Sequence, residues 1–139
     1  GEKILVVDDE DSVGEVIGEL LERRGFRAVV TREPEKALEW VSNNPDRFEM
    51  LITDQTMPGL TGQELIAHVR ALCPSMPVIL STGYSDMVEE SVGVNGAFLR
   101  KPVSASELLS VVQGLLSQSK HPELRQHTRC PRRAFNGLS

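Results

Sequence analysis

Five short runs of branched and aliphatic residues recur along the chain, and longer segments with a helical spacing of apolar residues separate them. The runs cover residues 4–7, 28–30, 50–52, 78–80 and 97–99. Each run is too short for a helix, and a nearly continuous apolar stretch is typical of a strand buried on both faces of a sheet. The pattern therefore predicts five buried strands.

The segments between the runs carry apolar stripes at the i, i+3, i+4 and i+7 positions of a helix. The three clearest stripes lie within residues 13–21, 65–72 and 108–116, and a thinner one predicts a helix around residues 86–92. With a further helix beginning near Pro34, five helices alternate with five strands. This alternation predicts an α/β, flavodoxin-like (βα)5 fold, in which a five-stranded parallel sheet of order 2-1-3-4-5 has helices on both faces.

Local signals predict where several helices begin and end. Capping boxes of the form S/T-x-x-E are predicted at residues 12–15, 61–64 and 104–107. Gly25 is predicted to end the first helix, and Pro34 fits the first turn of the second.

Charge divides the chain into an acidic body and a basic end. The net charge of the 139 residues is −5, whereas residues 117–139 carry five basic residues and one acidic residue, which leaves −9 on the rest. We therefore predict a domain over residues 1–117 and a basic, flexible tail over residues 118–139. An acidic body argues against direct nucleic-acid binding, and for the tail a solvated end is favoured over such a contact.

Two further features bear on cellular setting. The sequence contains neither an apolar stretch long enough to span a bilayer nor a signal-peptide pattern, which predicts no membrane contact. The two cysteines, Cys73 and Cys130, lack metal-ligand spacing and give little support to disulfide scaffolding. A cytoplasmic location is the expectation that follows.

Acidic, hydroxyl and basic residues stand where four of the predicted strands end. Asp8 and Asp9 follow the first strand, Asp54 the third, Thr82 the fourth and Lys101 the fifth. Because the carboxyl ends of parallel strands meet at one edge of the sheet, where ligands bind in this fold class, we expect these side chains to converge. Each has an ordinary explanation alone, such as an acid at a helix start or a lysine at the surface, but their combination favours a site.

The predicted site has the composition that metal-assisted phosphoryl transfer requires. Three neighbouring carboxylates repel one another and take up protons unless a cation compensates them. Oxygen ligands suit Mg²⁺, and beside it Asp54 can act as a nucleophile while Thr82 and Lys101 bind the phosphoryl oxygens.

The combination of paired acids, "ITDQTMPGLTG", "STG" and "KP" resembles the receiver domain of response regulators in two-component signalling, over residues 3 to about 117. The resemblance implies that Asp54 is the phosphoacceptor and that Asp8, Asp9, Asp54 and the backbone carbonyl of Thr56 bind Mg²⁺ or Mn²⁺. It also implies that Lys101 pairs with the phosphate. The implied donor is a histidine kinase or a histidine phosphotransfer domain.

The resemblance also implies a switch. Thr82 would move toward the phosphoryl group and Phe98 would turn inward, which changes the face formed by helix 4, strand 5 and helix 5 of the five predicted pairs. Phe98 stands where many relatives have tyrosine, so a hydrogen bond from a tyrosine hydroxyl to a partner is unavailable. A phosphorylation-dependent homodimer is compatible with the resemblance.

Thr56 and Tyr84 correspond to positions that flank the line of water attack in the family. A bulky Tyr84 would shield the acyl phosphate, which predicts slow dephosphorylation.

Two other functions compete with the signalling interpretation. A Mg²⁺-dependent phosphohydrolase with an aspartyl intermediate commonly has an Asp-x-Asp motif, but Gln55 and Thr56 follow Asp54 here and supply no general acid. A flavodoxin-like cofactor binder would need a glycine-rich phosphate loop in place of the acidic "VVDDED".

The segments "TGYSD" and "LRKPVSASEL" are similar to receivers at the C-terminal end of hybrid sensor histidine kinases.

Overall fold

A computed structural model of the chain describes residues 2–83, 95–101 and 103–119. The elements in these ranges are β1 (Lys3–Val7), α1 (Asp11–Arg23), β2 (Arg27–Thr31), α2 (Pro34–Asn43), β3 (Met50–Asp54), α3 (Gly62–Leu72), β4 (Val78–Thr82), β5 (Gly96–Arg100) and α4 (Ala105–Ser119). All five predicted strands are confirmed. The helix predicted around residues 86–92 lies outside the described residues, so α4 is the last of the five predicted helices.

The strands form one parallel sheet in the order β2-β1-β3-β4-β5, which confirms the predicted topology. The register brings the strand ends level with one another. Val7 at the end of β1 pairs with Thr31 on one side and Thr53 on the other, and Asp54 pairs with Ser81. Residues that follow β1 and those that end β3 and β4 therefore share one edge of the sheet.

Helices cover both faces of the sheet, and this explains the uninterrupted apolar runs. Along β1, Leu5 and Val7 pack into a cluster with α2 and α3, whereas Ile4 and Val6 pack into a second cluster with α1 and α4. Because each central strand is buried on both sides, consecutive residues must be apolar. Cys73, which follows α3, belongs to the first cluster, and Cys130 lies outside the described residues.

The capping box predicted at residues 12–15 is wrong. Helix α1 begins at Asp11 and has Glu10 as its N-cap, which forms no side-chain capping hydrogen bond. The backbone N–H of Glu10 instead donates to Asp8 Oδ1 at 3.0 Å. The turn after β1 is thus held by a side chain from the strand end, and the helix starts earlier than the local motif indicates.

The other local signals agree with the structure. Thr61 forms a complete capping box with Glu64, and the hydroxyl of Ser104 accepts the N–H of Glu107 at 3.1 Å. Gly25 has φ +93°, which suits the left-handed residue that follows a helix end. Pro34 is the first residue of α2.

Helix α4 extends to Ser119, two residues beyond the predicted domain end at residue 117. Residues 120–139, most of the predicted tail, lie outside the described ranges, so the division of the chain stays a prediction. Within the part of the chain that the structure describes, no helix has both the length and the hydropathy to cross a membrane.

Candidate functional site

Three carboxylates meet at the carboxyl edge of the sheet, as the sequence predicted. Asp8 and Asp9 follow β1, Asp54 ends the neighbouring β3, and one carboxylate oxygen from each lies within 4.8 Å of the others. Asp8 and Asp54 are buried, with 2% and 5% of their surfaces exposed. We call this trio the acidic rim.

The acidic rim is electrostatically unfavourable when its members are all ionised. Burial raises the pKa of Asp8 to about 6, and the charges of Asp54 and Asp9 add to this, although the hydrogen bond from the Glu10 N–H opposes it. Burial also raises the pKa of Asp54, against the lowering effects of Lys101 and the backbone N–H of Thr56. A cation held among the three carboxylates would relieve this cost.

Lys101 is a cationic side chain at the acidic rim. Its Nζ lies 3.0 Å from Asp54 Oδ1 and 4.0 Å from Glu10 Oε1. Burial lowers the pKa of Lys101, but the hydrogen bond to Asp54 and the charges of Asp54, Asp8 and Glu10 outweigh it, so the pKa is raised. Lys101 is therefore charged near neutral pH and compensates one of the three carboxylates.

Thr82 lies beside this ion pair at the end of β4. It is fully buried, and its Oγ1 has no hydrogen-bond partner among the described residues. The backbone carbonyl of Thr82 accepts the N–H of Lys101 at 2.8 Å, which joins the two strand ends. A buried hydroxyl without a partner is costly, so a hydrogen bond from the Thr82 hydroxyl to an oxygen atom at this edge would be favourable.

Phe98 lies on β5, which β4 separates from β3 and its Asp54. It pairs with Leu80 across the sheet, and its partly buried ring packs against the apolar cluster under α2 and α3. Thr56 is exposed in the loop after β3. Tyr84, the other residue predicted to affect the lifetime of a phosphoryl group, lies outside the described residues.

The donor set of the acidic rim fits a small hard cation. All three side chains offer carboxylate oxygens, the ligands that Mg²⁺ and Mn²⁺ prefer in proteins. Two of these side chains are buried and incompletely compensated by Lys101, so the positive charge of such an ion would be accommodated well.

Gln55 and Gly62, which contact the site through the backbone, were not among the predicted site residues. Gln55 directly follows Asp54, and Gly62 follows the capping residue Thr61. Their adjacency to two predicted features was the available signal, but their mutual contact depends on how α3 packs.

Comparison with known proteins agrees with the resemblance seen in the sequence. The family model for the response regulator receiver domain matches residues 4–113. The two-component response regulator ARR10 of Arabidopsis thaliana is 32% identical over 123 residues, which cover 86% of this chain and 22% of that protein. The chain spans between 19% and 46% of the length of four curated relatives that it matches.

Solved structures agree with the sequence comparisons. A response regulator receiver domain protein from Clostridium thermocellum superposes with a TM-score of 0.79 at 29% identity, covering 86% of this chain and 98% of that one. The receiver domain of the hybrid histidine kinase CckA superposes with a TM-score of 0.71 at 30% identity, covering 82% of this chain and 98% of that one.

Proposed function

Because the chain belongs to the response regulator receiver domain family, we propose that Asp54 accepts a phosphoryl group from a phosphohistidine donor in two-component signalling. The observation that carries this proposal is the position of the Asp54 carboxylate. It lies against Lys101 at 3.0 Å and within 4.8 Å of the carboxylates of Asp8 and Asp9.

In the proposed step, an oxygen of the ionised Asp54 carboxylate attacks the phosphorus of the donor phosphohistidine. The new O–P bond forms as the P–N bond breaks, and the bonding electron pair leaves with the imidazole nitrogen, which takes up a proton so that the donor histidine ends as neutral imidazole. Lys101 would then pair with a phosphoryl oxygen, while the hydroxyl of Thr82 supplies a hydrogen bond that it does not form elsewhere among the described residues.

The acidic rim would hold Mg²⁺ or Mn²⁺ through Asp8, Asp9 and Asp54, with the backbone carbonyl of Thr56 as a further ligand. The ion supplies positive charge that offsets repulsion between the carboxylates and the incoming phosphoryl oxygens. The donor would be a histidine kinase or a histidine phosphotransfer domain, and a hybrid sensor kinase is one parent protein that suits the family.

The proposed output is a shift between two conformations, driven by the new charge at Asp54. Movement of Thr82 toward the phosphoryl group would leave space beside β5, into which the ring of Phe98 could turn. The exposed face that includes β5 and α4 would then change shape and contact a partner or a second copy of the chain. The phosphohydrolase alternative is not favoured, because its Asp-x-Asp motif would need an aspartate two residues after Asp54, where this chain has Thr56.

The test is incubation with Mg²⁺ and acetyl phosphate, followed by intact-mass measurement and by treatment with base, which cleaves acyl phosphates. We expect a base-labile phosphoryl adduct on the wild type that Asp54→Asn abolishes and that a chelator prevents. Glu39→Gln, which removes an exposed carboxylate on α2, should be labelled like the wild type. Labelling that persists in Asp54→Asn would contradict the proposal.

A further inference from the structure

Gln55, the residue after Asp54, connects three parts of the structure. Its N–H donates to the carbonyl of Ser81 at 2.9 Å, and its own carbonyl accepts the N–H of Gly62 at 2.9 Å. Its side chain accepts the N–H of Gln63 at 2.9 Å through Oε1 and donates to Gln63 Oε1 at 3.2 Å through Nε2. We call these four hydrogen bonds the Gln55 bracket.

The Gln55 bracket completes the N-terminus of α3. The first N–H groups of a helix have no partner within the helix. In α3 the first two, from Gly62 and Gln63, donate to Gln55, and the third, from Glu64, donates to the hydroxyl of Thr61. The helix is therefore anchored to the residue next to Asp54 by the main chain and the side chain of Gln55.

Gly62 brings α3 into direct contact with the backbone of Asp54. A Cβ atom at this position would overlap the carbonyl oxygen of Asp54 and lie 2.6 Å from Leu80 Cδ1. Glycine is thus required by close approach here, because Gly62 does not have a positive φ. The first residue of α3 leaves the Asp54 peptide no room to shift toward the helix.

The opposite end of the bracket reaches β4. Ser81, whose carbonyl accepts the Gln55 N–H, immediately precedes Thr82. Asp54 also pairs with Ser81 in the sheet register. The backbone of Asp54 and Gln55 is therefore held between α3 on one side and β4, which carries the unpartnered Thr82 hydroxyl, on the other.

We propose that Gln55, together with Gly62, is a positioning residue that holds the Asp54 carboxylate in the geometry needed for phosphoryl transfer. This inference rests on the proposed function of Asp54. The physical reason is that in-line attack requires the carboxylate oxygen at a defined distance from the acid pair and Lys101. A misplacement of about 1 Å can lower a rate by about a hundredfold.

The test compares phosphorylation kinetics of the full chain at saturating Mg²⁺ over a range of acetyl phosphate concentrations. We expect Gln55→Ala and Gly62→Ala to lower the maximal rate by about tenfold or more, while the half-saturating donor concentration changes by less than about threefold. Gln63→Glu keeps the oxygen that accepts from Gln55 Nε2, so its rate should stay within about twofold of the wild type.

Helix α4 offers matched controls for these substitutions. Gln113→Ala and Gly114→Ala repeat the same changes at neighbouring positions, where an added Cβ at Gly114 meets nothing within 4 Å. Both controls should be phosphorylated at the wild-type rate. Urea unfolding of every variant identifies conditions in which each is folded. If Gly62→Ala does not fold, the phosphorylation rates of Gln55→Ala and Gln63→Glu decide the test.

A Gln55→Ala rate within about twofold of the wild type, with lowered stability, would overturn the inference, because the bracket would then serve only the helix end. A wild type that is not labelled, or labelling that survives in Asp54→Asn, would instead overturn the proposed function and this inference with it. The two failures differ in whether the wild type is labelled on Asp54.

Discussion

Replacing Asp8 by asparagine should stabilise the metal-free protein at neutral pH. Asp8 is 2% exposed, and burial, aided by the charges of Asp54 and Asp9, raises its pKa from 3.8 to about 6. An ionised Asp8 is therefore less favourable in the folded protein than in the unfolded chain. Asparagine has nearly the same shape, keeps an oxygen that can accept the Glu10 N–H, and carries no charge.

The sign and size of the effect follow from the pKa change. The folded state binds more protons than the unfolded state between pH 3.8 and about 6, so the contribution of Asp8 to stability falls as pH rises through this window. One pKa unit corresponds to about 1.4 kcal/mol. Ionisation of Asp8 should therefore lower the free energy of unfolding of the wild type by about 3 kcal/mol, a loss that Asp8→Asn avoids. The difference should be small near pH 4 and complete near pH 7.

The assay is urea unfolding in the presence of a chelator at several pH values, followed by the fluorescence of Trp40, the single tryptophan of the chain. Glu39→Gln removes the same formal charge from the exposed side of α2 and controls for the change in net charge. If the stability difference between Asp8→Asn and the wild type does not change between pH 4.5 and 7.5, burial of this carboxylate does not determine its pKa and the reasoning is refuted.

Three further predictions concern the same edge of the sheet and the helix that packs there. Lys101→Ala should destabilise the metal-free protein by about 1–3 kcal/mol at pH 7, because it leaves the buried Asp54 without its cationic partner; equal urea midpoints would contradict this. Mg²⁺ at ten times its Kd should raise the free energy of unfolding by about 1.4 kcal/mol, and Asp8→Asn should reduce this gain; an unchanged melting temperature would count against a metal site. Thr61→Ala should cost about 1 kcal/mol by removing the capping bond at α3, whereas Ser12→Ala should have an effect within about 0.5 kcal/mol, since α1 is not capped by Ser12.

Local sequence signals succeeded where one short segment decides the outcome. Thr61 with Glu64 forms the predicted capping box, and Gly25, predicted to end the first helix, follows the end of α1 in a left-handed conformation. The same kind of motif failed at residues 12–15, because Asp8 holds the preceding turn and α1 begins at Asp11. A motif of four residues contains no information about a side chain that reaches it from a strand end.

The candidate site residues were predictable because the topology of a parallel sheet is enough to bring the strand ends together. The alternation of strands and helices places Asp8, Asp54, Thr82 and Lys101 at one edge, and their convergence needed no knowledge of side-chain packing. Gln55 was not predictable as a positioning residue, since its role depends on the docking of α3 rather than on strand order.

The amino-acid sequence by itself determined the strand order, the two-sided burial of the sheet and the identity of the residues at its carboxyl edge. The physical reason is that periodicity and chain alternation are properties of neighbouring residues. Only the tertiary structure decided the 3.0 Å contact between Lys101 and Asp54, the raised pKa of Asp8, and the closeness of Gly62 to the Asp54 backbone. These quantities depend on distances and burial between segments far apart in the chain, and such distances exist only once the elements have packed.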